Sequence, residues 1–236
     1  MSLPKKIFIT GTDTGVGKTV VTAALACCLS QSGKKVSVIK PVQTGTCCQN
    51  VSDIEFVYKV LERDFDYNDH CPYSFSEPLS PKTACELENR SIDTGIIKSA
   101  INKHEELNDA VLIEGAGGLL VPVTENCNMA DLARDLSASL IIVCRPFLGT
   151  ISHTALTVEA ARSRGLNILG IVFSNFPYVP GLSEASNPQE ILRLTGVPLL
   201  GVLYDDGAID VENGQIGSIR KSSISSFISL FGGTLE

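Results

Sequence analysis

The segment Gly11-Thr12-Asp13-Thr14-Gly15-Val16-Gly17-Lys18-Thr19 gathers three glycines, a lysine and several hydroxyls within nine residues. Glycines let a backbone curl until successive N–H groups face one anion. A lysine can neutralise phosphate oxygens, and a threonine hydroxyl can ligate Mg²⁺. The apolar run Ile7–Thr10 precedes the loop, and the helix-forming VVTAALACCLS follows it. That strand, loop and helix order turns a helix N-terminus toward bound phosphate, so Thr14, Gly15, Val16, Gly17, Lys18 and Thr19 are expected to hold Mg-ATP. Thr12 occupies the place where the first glycine of G-x-x-x-x-G-K-[ST] would fall, with Gly11 one residue upstream, so the loop is a variant.

Three further residues could share that chemistry. Ala110–Glu114 reads as an apolar strand ending in an acid and is followed by Gly115, Ala116, Gly117 and Gly118. A carboxylate emerging at a strand's carboxyl end among glycines needs a cation, and Mg²⁺ beside phosphates supplies one. Lys40 follows Val36–Ile39 directly and is followed by Pro41-Val42-Gln43-Thr44-Gly45. At that edge a lysine can neutralise an anionic substrate or a transferring phosphoryl group, although a strand-end lysine can equally be a solvated charge. Asp53 opens a helix, where an aspartate serves either as a cap or as a metal ligand, and spacing leaves both readings open.

The elements that must position these residues alternate. Ile7–Thr10, Val36–Ile39, Val111–Glu114, Leu140–Cys144, Ile168–Phe173 and Leu199–Leu203 are apolar runs of strand length. Between them lie predicted helices over Lys18–Gln31, Asp53–Arg63, Asp93–Glu106, Met129–Leu136, Ser152–Arg164 and Pro188–Leu194, with Gly33, Gly165 and Gly196 as stop signals. This βα alternation predicts an α/β P-loop fold, a mostly parallel sheet flanked by helices on both faces, as one domain over residues 1–236. Asp64–Pro81 and Phe176–Asn187 are expected to be long loops that cover a ligand at the strand ends.

A net charge of −7 and a pI near 5.0 argue against nucleic acid or an anionic membrane as partner. No apolar run approaches the length of a membrane helix, and no secretory signal is evident, so a cytoplasmic protein is expected. The eight cysteines lack CxxC spacing, and His70, His104 and His153 do not complete metal-ligand pairs. Reduced thiols are the expected state.

GTDTGVGKT, KPVQTG, Ser52-Asp53, SEPLSP at Ser76–Pro81, IEGAGGLLVP at Ile113–Pro122, LGTISH at Leu148–His153 and Ser174-Asn175 occur in this order. The set resembles the dethiobiotin synthetase family from about Ile7 to Leu203. The resemblance implies that 7,8-diaminononanoate takes up CO₂ as a carbamate, whose oxygen attacks the ATP γ-phosphate. The second amine then closes the ring, giving dethiobiotin, ADP and phosphate. It further implies that Lys18 binds phosphate and that Thr19, Asp53 and Glu114 hold Mg²⁺. Lys40 would stabilise the carbamate and the transferring phosphoryl, and Thr44 would contact substrate. Gly115–Gly118 would line phosphates and substrate, and Asn175 would read adenine. The family also implies a homodimer.

The sequence departs from the family pattern at Lys82, where a histidine is often found, and at Tyr204-Asp205, where a proline is often found. A rival reading is a nucleotide switch of the partition or septum-placement kind, with an apolar tail helix built on Ile219, Ile224, Phe227, Ile228 and Phe231. Such switches with a deviant loop usually carry a second lysine where this chain has Asp13, which counts against it. The alternative for the tail is a last helix packed on the sheet. An amidating synthetase of the cobyrinate type would need a glutaminase on a partner chain.

Overall fold

The computed structural model describes residues 3–46, 50–221 and 227. In chain order its elements are β1 (Lys6–Gly11), α1 (Lys18–Gln31), β2 (Val36–Ile39), β3 (Val42–Thr44), α2 (Asp53–Leu61), α3 (Tyr67–His70), β4 (Tyr73–Phe75), α4 (Pro81–Leu87), α5 (Thr94–Leu107) and β5 (Ala110–Gly118). There follow β6 (Pro122–Thr124), β7 (Cys127–Asn128), α6 (Met129–Asp135), β8 (Ser139–Cys144), α7 (Thr150–Arg162), β9 (Ile168–Phe176), α8 (Leu182–Thr195), β10 (Leu199–Tyr204), β11 (Ile209–Asp210) and β12 (Gln215–Ile216).

Six strands form one sheet in the order β10-β9-β8-β1-β5-β2, and every pairing within it is parallel. Side chains alternate between its faces, as the twofold period of a strand requires. Ile7 and Ile9 join a core with α1 and α2, which includes Leu25, Leu29, Phe56 and Val60. Phe8, between them in sequence, joins the opposite core with Ile97 and Ile101 of α5 and Leu132 of α6. Both faces are thereby covered, and the strands can be apolar throughout: Ile7, Phe8 and Ile9 are all fully buried.

The strand order decides which residues meet. β5 lies between β1 and β2, with Ile9 opposite Glu114 and Ile39 opposite Ile113. Lys40, one residue beyond Ile39, therefore emerges beside Glu114 and next to the loop that follows β1.

Two expected loops contain more structure than their composition suggests. α8 begins at Leu182 rather than at Pro188, so Phe176–Asn187 is half helix. Pro188 removes one backbone donor from the helix, which is held elsewhere: Asn187 donates from Nδ2 to Pro146 O at 2.7 Å, and Ile191 and Thr195 anchor the buried face. The Asp64–Pro81 stretch holds α3 and β4, and α4 starts at Pro81 behind an N-cap formed by the Ser80 hydroxyl. Of the apolar tail positions, Ile219 and Phe227 are buried in the core with α1, while Ile224, Ile228 and Phe231 lie outside the described residues. Among the described residues no helix is long and apolar enough to cross a membrane.

Candidate active site

The loop between β1 and α1 ends on Gly17, which takes φ 94° and delivers the chain into α1 without a side-chain cap. The first N–H groups of the helix are thus left for an anion at the end where the helix dipole is positive. Glycine is required at Gly17 twice over: the conformation is left-handed, and a Cβ would fall 2.2 Å from Ser174 Oγ in β9. Gly17→Ala is expected to cost more than about 1–2 kcal/mol in stability and to weaken nucleotide binding. Thermal denaturation and ADP titration check both, and wild-type behaviour in either would contradict this view of the loop. Arg145, just past β8, donates from Nη2 to Thr14 O at 2.8 Å and fixes the loop from outside. No motif flagged Arg145; a lysine or arginine at a strand end was its only signal.

Behind the loop, charge is concentrated. Lys40 Nζ lies 2.7 Å from Asp53 Oδ2 and 2.8 Å from Glu114 Oε1. The Thr19 hydroxyl donates to the same Glu114 oxygen at 2.9 Å. Side-chain exposure is 5% for Lys40, 2% for Glu114 and 25% for Asp53. Asp53 is free for this role because Ser52 and Glu55 already form the capping box of α2, Ser52 Oγ accepting from Glu55 N and Glu55 accepting from Ser52 N. The two readings of Asp53 are thus separated: the neighbouring serine caps, and the aspartate faces the cation.

Burial opposes the charge on Lys40, but the Asp53 and Glu114 carboxylates outweigh it and raise its pKa. Burial would likewise raise the Asp53 pKa, yet the Lys40 ammonium, the Thr19 hydroxyl and the more distant Lys18 together hold it below its ordinary value of 3.8. The pair therefore stabilises the fold above about pH 3.8 and below about pH 10.5, and loses that contribution as pH falls through the folded Asp53 value or rises through the folded Lys40 value. Lys18 behaves oppositely. Burial, helped by repulsion from Lys40, lowers its pKa to about 8, against weaker attraction from Glu114, Asp53 and Asp13. Its Nζ reaches the Asp13 carbonyl at 3.2 Å.

These groups form the floor of a cavity of about 780 Å³. Thr14, Gly15, Gly17, Lys18 and Thr19 line it, with Lys40, Thr44, Asp53, Glu114, Ala116, Gly117 and Asn175. Three expected site residues stand behind its wall. Val16 packs its side chain into the core, Gly115 is pressed against Phe8, where a Cβ would come within 2.8 Å of the ring, and Gly118 pairs with Gly11 across β5 and β1. Asn175 holds φ 56°, a left-handed conformation that asparagine tolerates better than most residues. Lys82 lies outside the lining, paired with Glu86 at 2.7 Å and Glu125 at 3.1 Å. Tyr204 and Asp205 do line the cavity, together with Asp206 and Gly207.

The oxygen-only set of Thr19, Asp53 and Glu114 suits a hard divalent cation such as Mg²⁺. Among the described residues no three His, Cys, Asp or Glu side chains cluster as a metal site.

Comparison with known proteins places the chain in a family. A family profile described as an AAA domain matches residues 5–211. An ATP-dependent dethiobiotin synthetase of Anaeromyxobacter sp. (strain Fw109-5) is 44% identical over 190 residues, covering 80% of this chain and 85% of the relative. The ATP-dependent dethiobiotin synthetase of Bacillus velezensis is 36% identical over 227 residues, 96% of this chain and 97% of that one. The chain belongs to the dethiobiotin synthetase family. The fold is shared more widely: the MinD cell division protein of Aquifex aeolicus matches with a TM-score of 0.62 at 14% identity over 99% of both chains. A ParA family ATPase from Chlorobium tepidum matches with a TM-score of 0.57 at 13% identity, over 95% of this chain and 99% of its own. At such identity the likeness extends to the fold alone, so it lends nothing to the nucleotide-switch reading.

Proposed function

We propose that this chain carboxylates 7,8-diaminononanoate with CO₂ and closes the ureido ring of dethiobiotin at the expense of ATP. The observation that carries the reading is the meeting of Lys18, Lys40, Thr19, Asp53 and Glu114 on one cavity floor in a member of this family. One amine of the substrate adds to CO₂ and loses a proton, giving a carbamate. A carbamate oxygen attacks the γ-phosphorus and ADP leaves, giving a mixed carbamic–phosphoric anhydride. The second amine attacks the carbamate carbon and loses a proton, phosphate departs with its electron pair, and the ring is closed.

Each step asks for charge placement more than for a protein nucleophile. Lys18 neutralises the nucleotide phosphates, and Lys40, held between two carboxylates, offers its ammonium to the carbamate and the transferring phosphoryl. Thr44 contacts substrate, Ala116 and Gly117 bring backbone close to the phosphates, and Asn175 contacts the adenine. Thr19, Asp53 and Glu114 would hold Mg²⁺, which supplies countercharge to the phosphate oxygens. The family also supports a homodimer and a cytoplasmic setting; exposed Phe147, Leu148 and Leu156 in and before α7 offer an apolar surface for a second copy.

The test is ADP release from purified protein with Mg-ATP and bicarbonate. It should require 7,8-diaminononanoate, and diamine-independent hydrolysis would oppose the assignment. In the same assay Glu114→Gln should raise the Mg²⁺ concentration for half-maximal rate by about 10- to 100-fold, the cost of a disturbed ligand shell. An unchanged Mg²⁺ dependence would remove Glu114 from the metal site.

A further inference from the structure

β2, which delivers Lys40, is an edge strand of the six-stranded sheet. An edge leaves a row of backbone donors and acceptors unpaired, and a buried one must find partners elsewhere. Among the described residues no further strand of the sheet pairs with the outward side of β2, and α2, the residues after it and α3 supply partners instead. Val36 O accepts from Arg63 Nη1 at 3.2 Å, and Val38 N donates to Tyr58 Oη at 3.3 Å. Val38 O lies 2.7 Å from His70 Nδ1, and Lys40 N donates to His70 O at 2.9 Å. Val36 O, Val38 N, Val38 O and Lys40 N are thus bonded by side chains and one loop carbonyl where a neighbouring strand would bond them.

Because a carbonyl only accepts, the bond to Val38 O fixes the His70 proton on Nδ1. The ring itself is immobilised. Tyr58 Oη lies 2.9 Å from Nδ1, and the Tyr58 and His104 rings pack on it with centroids 4.7 and 4.4 Å away. His104 is in turn tied to β2 through Ser37 Oγ, 2.9 Å from its Nδ1. Tyr58, His70 and His104 are all buried and do not line the cavity, so they touch no reactant.

We propose that His70 and Tyr58 are positioning residues for Lys40, acting as a side-chain strand that locks the edge of β2. The inference rests on the role given to Lys40 above. Lys40 must place Nζ between two carboxylates and a reacting phosphoryl, and its backbone is anchored on the outward side by the His70 carbonyl. Loosening Val38 lets the carboxyl end of β2 shift, and a shift of about 1 Å in a catalytic group costs up to about a hundredfold in rate.

The experiment compares His70→Leu, His70→Asn, Tyr58→Phe and Lys40→Met in diamine-dependent ADP release, together with MgADP affinity and amide hydrogen exchange at Val38. His70→Leu should lower kcat about 10- to 100-fold while leaving MgADP affinity at the wild-type level, because the phosphate loop hangs from β1 and not from β2. His70→Asn, which can present an amide N–H in place of Nδ1–H, should recover most of the lost rate. Tyr58→Phe should speed exchange at Val38 and lower kcat in the same direction. Wild-type kcat in both His70→Leu and Tyr58→Phe beside an inactive Lys40→Met overturns this inference alone, as does an asparagine variant no better than the leucine one. If His70→Leu does not fold, Tyr58→Phe decides by the same criteria. Full activity in Lys40→Met overturns the role of Lys40 and the positioning with it.

Discussion

Lys40→Met is expected to lower diamine-dependent kcat by about 10²- to 10³-fold, the loss that follows removal of one preorganised charge from a transition state. The same change should also destabilise the protein. Asp53 and Glu114 converge on Nζ at 2.7 and 2.8 Å, so methionine leaves two carboxylates close together with their shared cation gone. Breaking a buried pair from one side costs about 3–5 kcal/mol. Mg²⁺ should restore part of that loss, because a divalent cation can replace the missing charge between the carboxylates. Thermal denaturation with and without Mg²⁺ reads this directly: a larger Mg²⁺-dependent gain in Tm for the variant than for the wild type is the expected result. An unaltered Tm in metal-free buffer would contradict the pairing.

Lys18→Met should behave in the opposite way as regards stability. Lys18 is buried at 7% exposure, its Nζ meets the Asp13 carbonyl at 3.2 Å, and burial together with Lys40 lowers its pKa to about 8. A lysine with a folded pKa below its ordinary 10.5 burdens the fold at neutral pH, and the burden fades as pH rises from about 8 to 10.5. Methionine is therefore expected to leave the ligand-free protein as stable as the wild type or more so, while ATP affinity falls by about 10²- to 10³-fold through loss of a desolvated charge contact. Binding polyanionic phosphate should return Lys18 to its charged form. Calorimetric ADP titrations near pH 8.5, in buffers of different ionisation enthalpy, should accordingly show proton uptake in the wild type and less in Lys18→Met. A destabilised variant, or equal uptake in both proteins, would contradict this account. Two buried lysines a short distance apart thus have opposite thermodynamic roles: Lys40 holds carboxylates together, and Lys18 is held ready for an anion at some cost to the fold.

How much of this is legible in the sequence depends on how local each determinant is. The phosphate loop is local, and α1 and β2 have the boundaries that the apolar pattern predicts, Lys18–Gln31 and Val36–Ile39. The partition of Ser52 and Asp53 was also within reach: Ser52 with Glu55 three residues later is a capping-box pattern, and reading it frees Asp53 for the cation. Ser80-Pro81 likewise signals the start of α4. The meeting of Lys40 with Glu114 is not local, since it follows from β5 lying between β1 and β2, and strand order is set by packing across the whole sheet. Arg145 over the loop, Lys82 bridging Glu86 and Glu125, and the two histidines behind β2 depend on contacts between distant segments and leave no motif. Pro188 illustrates a local rule overridden: a helix-breaking residue sits inside α8 because buried Asn187, Ile191 and Thr195 tie that helix to its neighbours.

In the proposed reaction the cavity floor couples ATP cleavage to capture of one CO₂ carbon between two amines. The most direct measurement incubates the protein with Mg-ATP, 7,8-diaminononanoate and isotopically labelled bicarbonate, and follows ADP and the product's mass together. The expected product is dethiobiotin carrying a single labelled carbon, formed one for one with ADP and absent when the diamine is omitted. ADP formed without labelled dethiobiotin, or at the same rate without the diamine, would contradict it.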